Sequence, residues 1–84
     1  MSSLMTGHYW KVSDNELSIQ VCYEAENEEI IYDFFSDWIN VGEGIDTKKD
    51  KKILIFKKSF SNTTEFDKII NTLSKHNTIL KEAA

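Results

Sequence analysis

Apolar and polar residues alternate near the start of the chain and predict a β-hairpin. In the segment ELSIQVCY every second residue is apolar, which is typical of a strand with one buried face. The residues on that face are Leu17, Ile19, Val21 and Tyr23. The aromatic and β-branched segment HYWKVS precedes it, and Asp14–Asn15 suits a tight turn between the two strands. A two-residue loop sets Trp10 opposite Ile19, and so places Trp10 on the buried face.

A helical period follows in the next, acidic part of the chain. Asn27 is a favourable N-cap residue, and the two glutamates after it suit the positive end of a helix dipole. Apolar residues then recur at the spacing of a core-facing helical stripe, namely Ile30, Ile31, Phe34, Phe35 and Trp38. The pattern predicts a helix that ends at Asn40 or Gly42, followed by a polar loop over 42–52.

A third strand and a second helix complete the predicted elements. The segment KILIF is apolar on both faces, as in a central or doubly covered strand. Asn62 and Glu65 have the spacing of a capping box at the start of a helix. The inner stripe of this helix is predicted to contain Phe66, Ile69, Ile70, Leu73 and Leu80.

The element order β-β-α-β-α predicts an α+β fold. A right-handed crossover would make the third strand parallel to the second. Both helices most simply cover one face of a three-stranded sheet. We therefore expect a small two-layer sandwich that forms a single domain over residues 1–84, with frayed ends at 1–6 and 81–84.

The charged residues are separated along the chain to an unusual degree. Residues 24–46 hold eight acidic side chains and no lysine, whereas residues 47–58 hold six lysines. The net charge is −4 and the chain has no arginine, the residue that binds phosphate in a bidentate manner. This balance does not favour nucleic acid as a partner.

The sequence also bears on the compartment of the protein. Cys22 is the only cysteine, so no intrachain disulfide can form. No segment has the pattern of a signal peptide or a membrane span. We therefore expect a cytoplasmic protein that does not contact the membrane.

Residues with catalytic or metal-binding chemistry are few and scattered. In the predicted hairpin His8 and Cys22 lie on opposite faces, so no nucleophile stands beside a base. One cysteine and two histidines are too few for a typical zinc site, and no calcium-loop motif occurs. The pair Gly42 and Gly44 follows a predicted helix, whereas a phosphate-binding loop precedes one. We expect neither enzymatic activity nor a cofactor or metal.

The sheet face away from the helices is a candidate contact surface. It is predicted to show Tyr9, Lys11, Ser18, Gln20 and Cys22, together with either Ile53 and Ile55 or Leu54 and Phe56. Large apolar side chains on that face would suit a protein partner or a homodimer interface. Alternatively, Tyr9 and the lysine stems cover those side chains within one monomer.

Acidic residues also form a stripe on the outer face of the first predicted helix. Glu29, Asp33 and Asp37 are spaced by four residues, and each such pair of like charges costs a helix about 0.2–0.5 kcal/mol. Three explanations remain open at this point. The lysines of 48–58 could neutralise the stripe within the chain, a basic partner could bind it, or the clustering could be chance.

The function predicted from these features is binding to another protein. The contact residues would be Glu26, Glu29, Tyr32, Asp33 and Asp37, with a second or homodimer contact through Tyr9, Lys11, Gln20 and Cys22. By analogy of size and charge, this suits an inhibitor, immunity or adaptor protein, such as a phage- or mobile-element-encoded blocker of a basic nucleic-acid-handling protein. One alternative is a nucleic-acid-binding module that uses the Lys48–Lys58 cluster. The other is a subunit with a purely structural role in an assembly.

Overall fold

The computed structural model of the protein describes residues 4–74 and 78–82. The strands are β1 (Met5–Ser13), β2 (Glu16–Tyr23), β3 (Ile39–Asp46), β4 (Lys51–Ser59) and β5 (Thr78–Glu82). The helices are α1 (Glu28–Phe34) and α2 (Thr63–Ser74), and a short 3₁₀ turn over Ala25–Asn27 precedes α1.

The strands form one sheet in the order β3-β4-β2-β1-β5. The pairs β3–β4, β4–β2 and β2–β1 are antiparallel, and β5 runs parallel to β1. The predicted α+β class is confirmed, but the described residues contain more strands than the three expected. The predicted parallel third strand is also wrong, because β4 pairs antiparallel with β2. The reason is β3, which follows α1 at the edge of the sheet. The chain then turns back from β3 into β4, so β4 runs antiparallel to both β3 and β2.

The β3–β4 hairpin replaces the loop that was predicted over 42–52. The Asp46 carboxylate accepts hydrogen bonds from the backbone N–H groups of Lys48 and Lys49, at 3.1 and 3.3 Å, and so fixes the turn. Asp50 closes it with φ of 54°, in the left-handed region. The strand escaped prediction because glycines and acidic residues are depleted in strands.

Helix α1 is shorter than the apolar spacing suggested. It ends at Phe34, and Trp38 N donates to Phe35 O at 3.0 Å in the turn that leads into β3. Phe35 stacks on Phe56 of β4 at 4.5 Å between ring centroids, so turn residues fill positions that a longer helix would occupy. Asn27 occupies the N-cap position as predicted, although its side chain makes no capping hydrogen bond. Ile30 is exposed, so its place in the buried stripe was wrong.

The hydrophobic core lies on one face of the sheet, between the sheet and both helices. Its buried members are Met5, Ile19, Val21, Tyr23, Ile31, Phe35, Leu54, Phe56 and Leu73. The predicted buried stripe of β2 is confirmed, since all four of its members are almost inaccessible to solvent. Residues from α1 and α2 join the same cluster, which agrees with two helices on one face.

A β-bulge at Val12 changes the register of the first hairpin. The pairing shifts between Lys11 and Ser13, so Tyr9 lies opposite Ile19, and Trp10 lies opposite Ser18. The predicted register is therefore wrong by one residue. Because side chains alternate between faces, the shift moves Tyr9 to the helix side and Trp10 to the other side.

The second helix follows the prediction at its start but not at its end. Glu65 N donates to the Asn62 carboxamide oxygen at 2.9 Å, which confirms the predicted cap. Phe66, Ile69 and Ile70 are half-buried, and Leu73 is buried. Leu80 belongs to β5 and not to this helix, so its placement in the helical stripe was wrong.

Two strands extend into the segments 1–6 and 81–84, which were predicted to be frayed. Met5 is buried and begins β1 with Thr6, and β5 includes Lys81 and Glu82. Residues 1–3 and 83–84 lie outside the described residues.

Glycine is required at position 7 because β1 approaches β2 closely there. A Cβ atom at Gly7 would lie 2.0 Å from the carbonyl oxygen of Gln20, which is backbone and cannot rotate away. We predict that Gly7→Ala lowers the free energy of unfolding by about 1–3 kcal/mol, as overpacking does. Chemical denaturation measures the change.

Gly44→Ala is the matched control for Gly7→Ala. No atom lies within 4 Å of a Cβ built there, and its φ is not positive. We expect no loss of stability, because alanine restricts the unfolded chain more than glycine does. Equal losses in both variants would contradict the predicted clash at Gly7.

Candidate functional site

The lysines of β4 form ion pairs with acidic residues elsewhere in the fold. Of the six lysines in 48–58, four have partners within 4 Å in the described residues. The pairs are Lys51–Glu24 at 3.9 Å, Lys52–Glu28 at 3.0 Å, Lys57–Glu16 at 2.9 Å, and Lys58–Asp37. The lysine-rich and acidic segments, which are separate along the chain, are therefore partly combined in space.

The Lys52–Glu28 pair belongs to a polar junction of β2, α1 and β4. The Tyr23 hydroxyl donates to Glu28 Oε1 at 3.4 Å, and Lys52 Nζ donates to the same oxygen at 3.0 Å. Burial is the largest cause, and the charges of Glu28, Tyr32 and Glu43 and the hydrogen bond to Glu28 add to it; together they raise the pKa of Tyr23 to about 12. The junction holds the N-terminal end of α1 against the sheet.

Tyr23 provides a pH test of this junction. Its folded pKa lies above the unfolded value of 10.0, so the neutral phenol stabilises the fold below about pH 10, and that contribution is lost as the pH rises toward about 12. We predict that, in a pH titration of the folded protein, the tyrosinate absorbance of one tyrosine appears only well above pH 10. Tyr23→Phe should remove this step at high pH. An unchanged titration curve in Tyr23→Phe would show that another tyrosine is the protected one.

The outer side of α1 and of the turn before it keeps acidic residues that the lysines do not reach. Glu26, Glu29 and Asp33 are exposed, and no ion pair involves them within the described parts of the chain. Beside them, 43% of Tyr32 and 51% of Ile30 are exposed. We call these five residues the acidic surface.

Tyr32 is the anchored aromatic member of the acidic surface. Its ring packs edge-on against Phe56, with 6.3 Å between the ring centroids, so one side of the ring is fixed by the core. A half-exposed ring on a rigid base offers contact area to a partner at little cost in side-chain entropy.

Asp37 was predicted to be a contact residue together with Glu29 and Asp33, but it is paired within the chain. It follows α1 in a turn, and its carboxylate accepts a hydrogen bond from Lys58, which lowers the pKa of the carboxyl group. The ammonium of Lys58 also lies 5.8 Å from the centre of the Trp38 ring. Asp37 is also exposed, but it has an internal partner, whereas Glu29 and Asp33 have no ion pair among the described residues.

The sheet face away from the helices, here called the open face, contains only part of the predicted set. Gln20 is exposed there and Cys22 is half-buried. Tyr9 and Lys11 lie instead on the helix side, where the Phe66 ring is 6.4 Å from the Tyr9 ring and 4.6 Å from Lys11 Nζ. The bulge at Val12 is the cause of this correction.

The structure also settles which side of β4 is buried. Leu54 and Phe56 enter the core, while Ile53 and Ile55 are half-buried on the open face. Trp10 lies on the same face, opposite Ser18. The apolar residues of the open face are therefore partly shielded by their neighbours.

The predicted separation of His8 and Cys22 is wrong. With the shifted register, His8 pairs with Gln20 and Thr6 with Cys22, so His8 and Cys22 share the open face. They border a shallow groove of ≈ 360 Å³, but the described contacts include no hydrogen bond between them. The pair lacks the base contact that activates a thiol.

A larger cleft of ≈ 530 Å³ lies between α2 and the turn after α1. Its lining residues are Phe34, Asp37, Trp38, Lys58, Glu65, Lys68, Ile69, Thr72 and Leu73. No histidine or cysteine lines it in the described residues, and Asp37 and Lys58 bond to each other. The cleft therefore has an apolar floor and a charged rim, and its described lining contains no nucleophile beside a general base.

Within residues 4–74 and 78–82, no three His, Cys, Asp or Glu side chains come together as a metal site. No helix in this part of the chain has the length and apolar character needed to cross a membrane.

Strand β3 is the feature that sequence reasoning missed. It is an outermost strand of the sheet, and its exposed apolar residues include Ile39 at 66%, Val41 at 54% and Ile45 at 67%. Apolar residues at positions 39, 41 and 45 follow the period of two that marks a strand. That spacing was the available signal, although the glycines between them obscured it.

Comparison with known proteins adds no further constraint. No protein-family model matches the chain, and no curated protein or solved structure is similar to it.

Proposed function

We propose that the protein is a small acidic binding module that docks on a basic protein through the acidic surface. The main support is the distribution of ion pairs. The β4 lysines pair with other acids, while Glu29 and Asp33 stay exposed without an ion pair among the described residues. A partner with lysine or arginine side chains would supply the missing charges.

The chemistry of the acidic surface suits a protein better than a small ligand. Glu26, Glu29 and Asp33 provide charge, and Tyr32 and Ile30 provide apolar area beside them. Charges at the rim of an interface mainly speed association and select the partner, whereas aromatic residues contribute most of the affinity. Both kinds of residue are present on one short helix and the turn before it.

The proposed biological role is that of an inhibitor, immunity or adaptor protein. An acidic surface that covers the basic site of a nucleic-acid-handling protein would compete with the nucleic acid for that site. A phage- or mobile-element-encoded protein would fit this role, by analogy of size and charge.

The two alternatives use other surfaces. A nucleic-acid module would rely on the lysine cluster, yet only Lys48 and Lys49 within it lack an ion pair in the described residues. A homodimer or assembly subunit would use the open face, where Trp10, Ile53 and Ile55 are half-buried. Neither alternative requires the exposed charges of α1.

Affinity capture from an extract of the source cells tests the proposal. The baits are the wild-type chain, Asp33→Lys, and Asp67→Lys as a charge-matched control on the exposed side of α2. We predict that wild type and Asp67→Lys retain the same basic protein, and that Asp33→Lys loses it. A reversed charge in a close interfacial pair costs several kcal/mol, which corresponds to about a hundredfold or more in affinity.

The captured set decides between the alternatives. Equal retention by Asp33→Lys and wild type would overturn the acidic surface as the contact. Retention of nucleic acid by all three baits, with no protein partner, would support the lysine cluster instead. Circular dichroism of each bait confirms that the variants are folded.

A further inference from the structure

The outer edge of β3 presents backbone groups that no other strand covers within residues 4–74 and 78–82. β3 is the terminal strand of the sheet on the side of β4, and its pairing with β4 uses only its inner edge. An uncovered edge of this kind can accept another strand through main-chain hydrogen bonds. At eight residues, β3 is long enough to hold one.

Two common protections against strand addition are absent from this edge. β3 contains no lysine and no proline, the two residues most often used to protect an edge. A bulge between Asn40 and Gly42 interrupts its first part. From Gly42 to Asp46 the pairing with β4 is regular, so this second half is the accessible template.

The two sides of the accessible half differ in chemistry. Glu43 and Ile45 lie opposite Leu54 and Lys52 of β4, and so face the helix side. Gly44 faces the other side, where a Cβ atom built on it would have no atom within 4 Å. An added strand would thus meet an acid and an isoleucine on one side and open space on the other.

Charge argues against a second copy as the added strand. Glu43 is exposed and has no ion pair among the described residues, and β3 contains no basic residue. Two β3 edges would place acidic side chains beside acidic side chains, which destabilises a strand pair. The same charge favours a segment that contains lysine or arginine.

The acidic side of β3 is continuous with the polar junction at the base of α1. Glu43 and Ile45 line a recess of ≈ 360 Å³ together with Tyr23, Glu28 and Lys52. Lys52 already pairs with Glu28 in this recess, whereas Glu43 has no ion pair among the described residues. A basic side chain of an added strand would therefore pair with Glu43.

We propose that β3 receives an extended basic segment of the partner as an additional strand of the sheet. Basic side chains of this segment lie on the helix side against Glu43, and its apolar side chains lie on the side of Gly44. This inference rests on the proposed function, because it specifies how the same basic partner is held.

A synthetic peptide serves as the probe. It has about nine residues in which lysine and valine alternate, the length of an ordinary strand. The control peptide is identical except for N-methyl groups at its central residues, which remove strand hydrogen bonds and leave the charge unchanged. Both are titrated into the ¹⁵N-labelled full chain and followed by amide chemical shifts and hydrogen exchange.

We predict that the unmodified peptide shifts the amides of residues 42–46 and slows their exchange. The N-methylated peptide should bind about tenfold more weakly or worse, since several hydrogen bonds are lost. Glu43→Lys should weaken binding of the unmodified peptide similarly, and Asp67→Lys should not.

The remaining outcomes overturn the edge proposal. Equal binding of both peptides, with shifts confined to α1, would leave the proposed function intact but remove the strand addition. Shifts of residues 42–46 that depend on protein concentration without peptide would show that a second copy occupies the edge. Binding of neither peptide also overturns it, while the proposed function falls only if Asp33→Lys retains the captured partner.

Discussion

The pairing of β2 with β4 is the constraint on which the other features of the protein depend. Ile19 lies opposite Phe56 and Val21 opposite Leu54, and all four side chains are buried on one face. Alternation along β4 then sends Ile53 and Ile55 to the open face. It also brings Lys52 to Glu28 at one end of the strand and Lys58 to Asp37 at the other. The hydrophobic register thus determines which charges meet, because a slip of one residue would exchange the two faces.

The ion pairs that follow from this register leave an acidic excess on one side of the molecule. β4 supplies lysines to Glu16, Glu24, Glu28 and Asp37, and none of these pairs extends to Glu29 or Asp33. Such exposed pairs contribute only about 0.2–1 kcal/mol each to stability, so their larger effect is on the surface potential. The excess lies on α1, while β3 adds the exposed Glu43. A basic partner that contacts both would match the charge pattern with a single surface.

Local signals in the sequence were sufficient for part of the fold. The alternating β2 stripe and the Asn62 cap depend on near neighbours, and both were predicted. The bulge at Val12 was not, because nothing in the hairpin turn specifies an extra residue, and Tyr9 and Trp10 exchanged faces as a result. β3 was missed because its two glycines weaken the local signal, while its stability comes from pairing with β4. For the candidate site, helical spacing was enough to predict that Glu29 and Asp33 are exposed. The Asp37–Lys58 pair could not be predicted in this way, because its residues are 21 positions apart.

Unfolding of wild type and the Asp33→Asn variant at low and high salt tests most directly whether the acidic surface is free of internal pairing. At about 20 mM salt we predict that the variant is more stable by a few tenths of a kcal/mol, because the i,i+4 like-charge pair with Glu29 is removed and because an anion near the C-terminal end of α1 is disfavoured by the helix dipole. At about 500 mM salt the difference should shrink, since the screening length is several times shorter. A variant that is less stable than wild type at low salt would contradict this. It would mean that attraction within the chain holds Asp33, and that its charge is not left over for a partner.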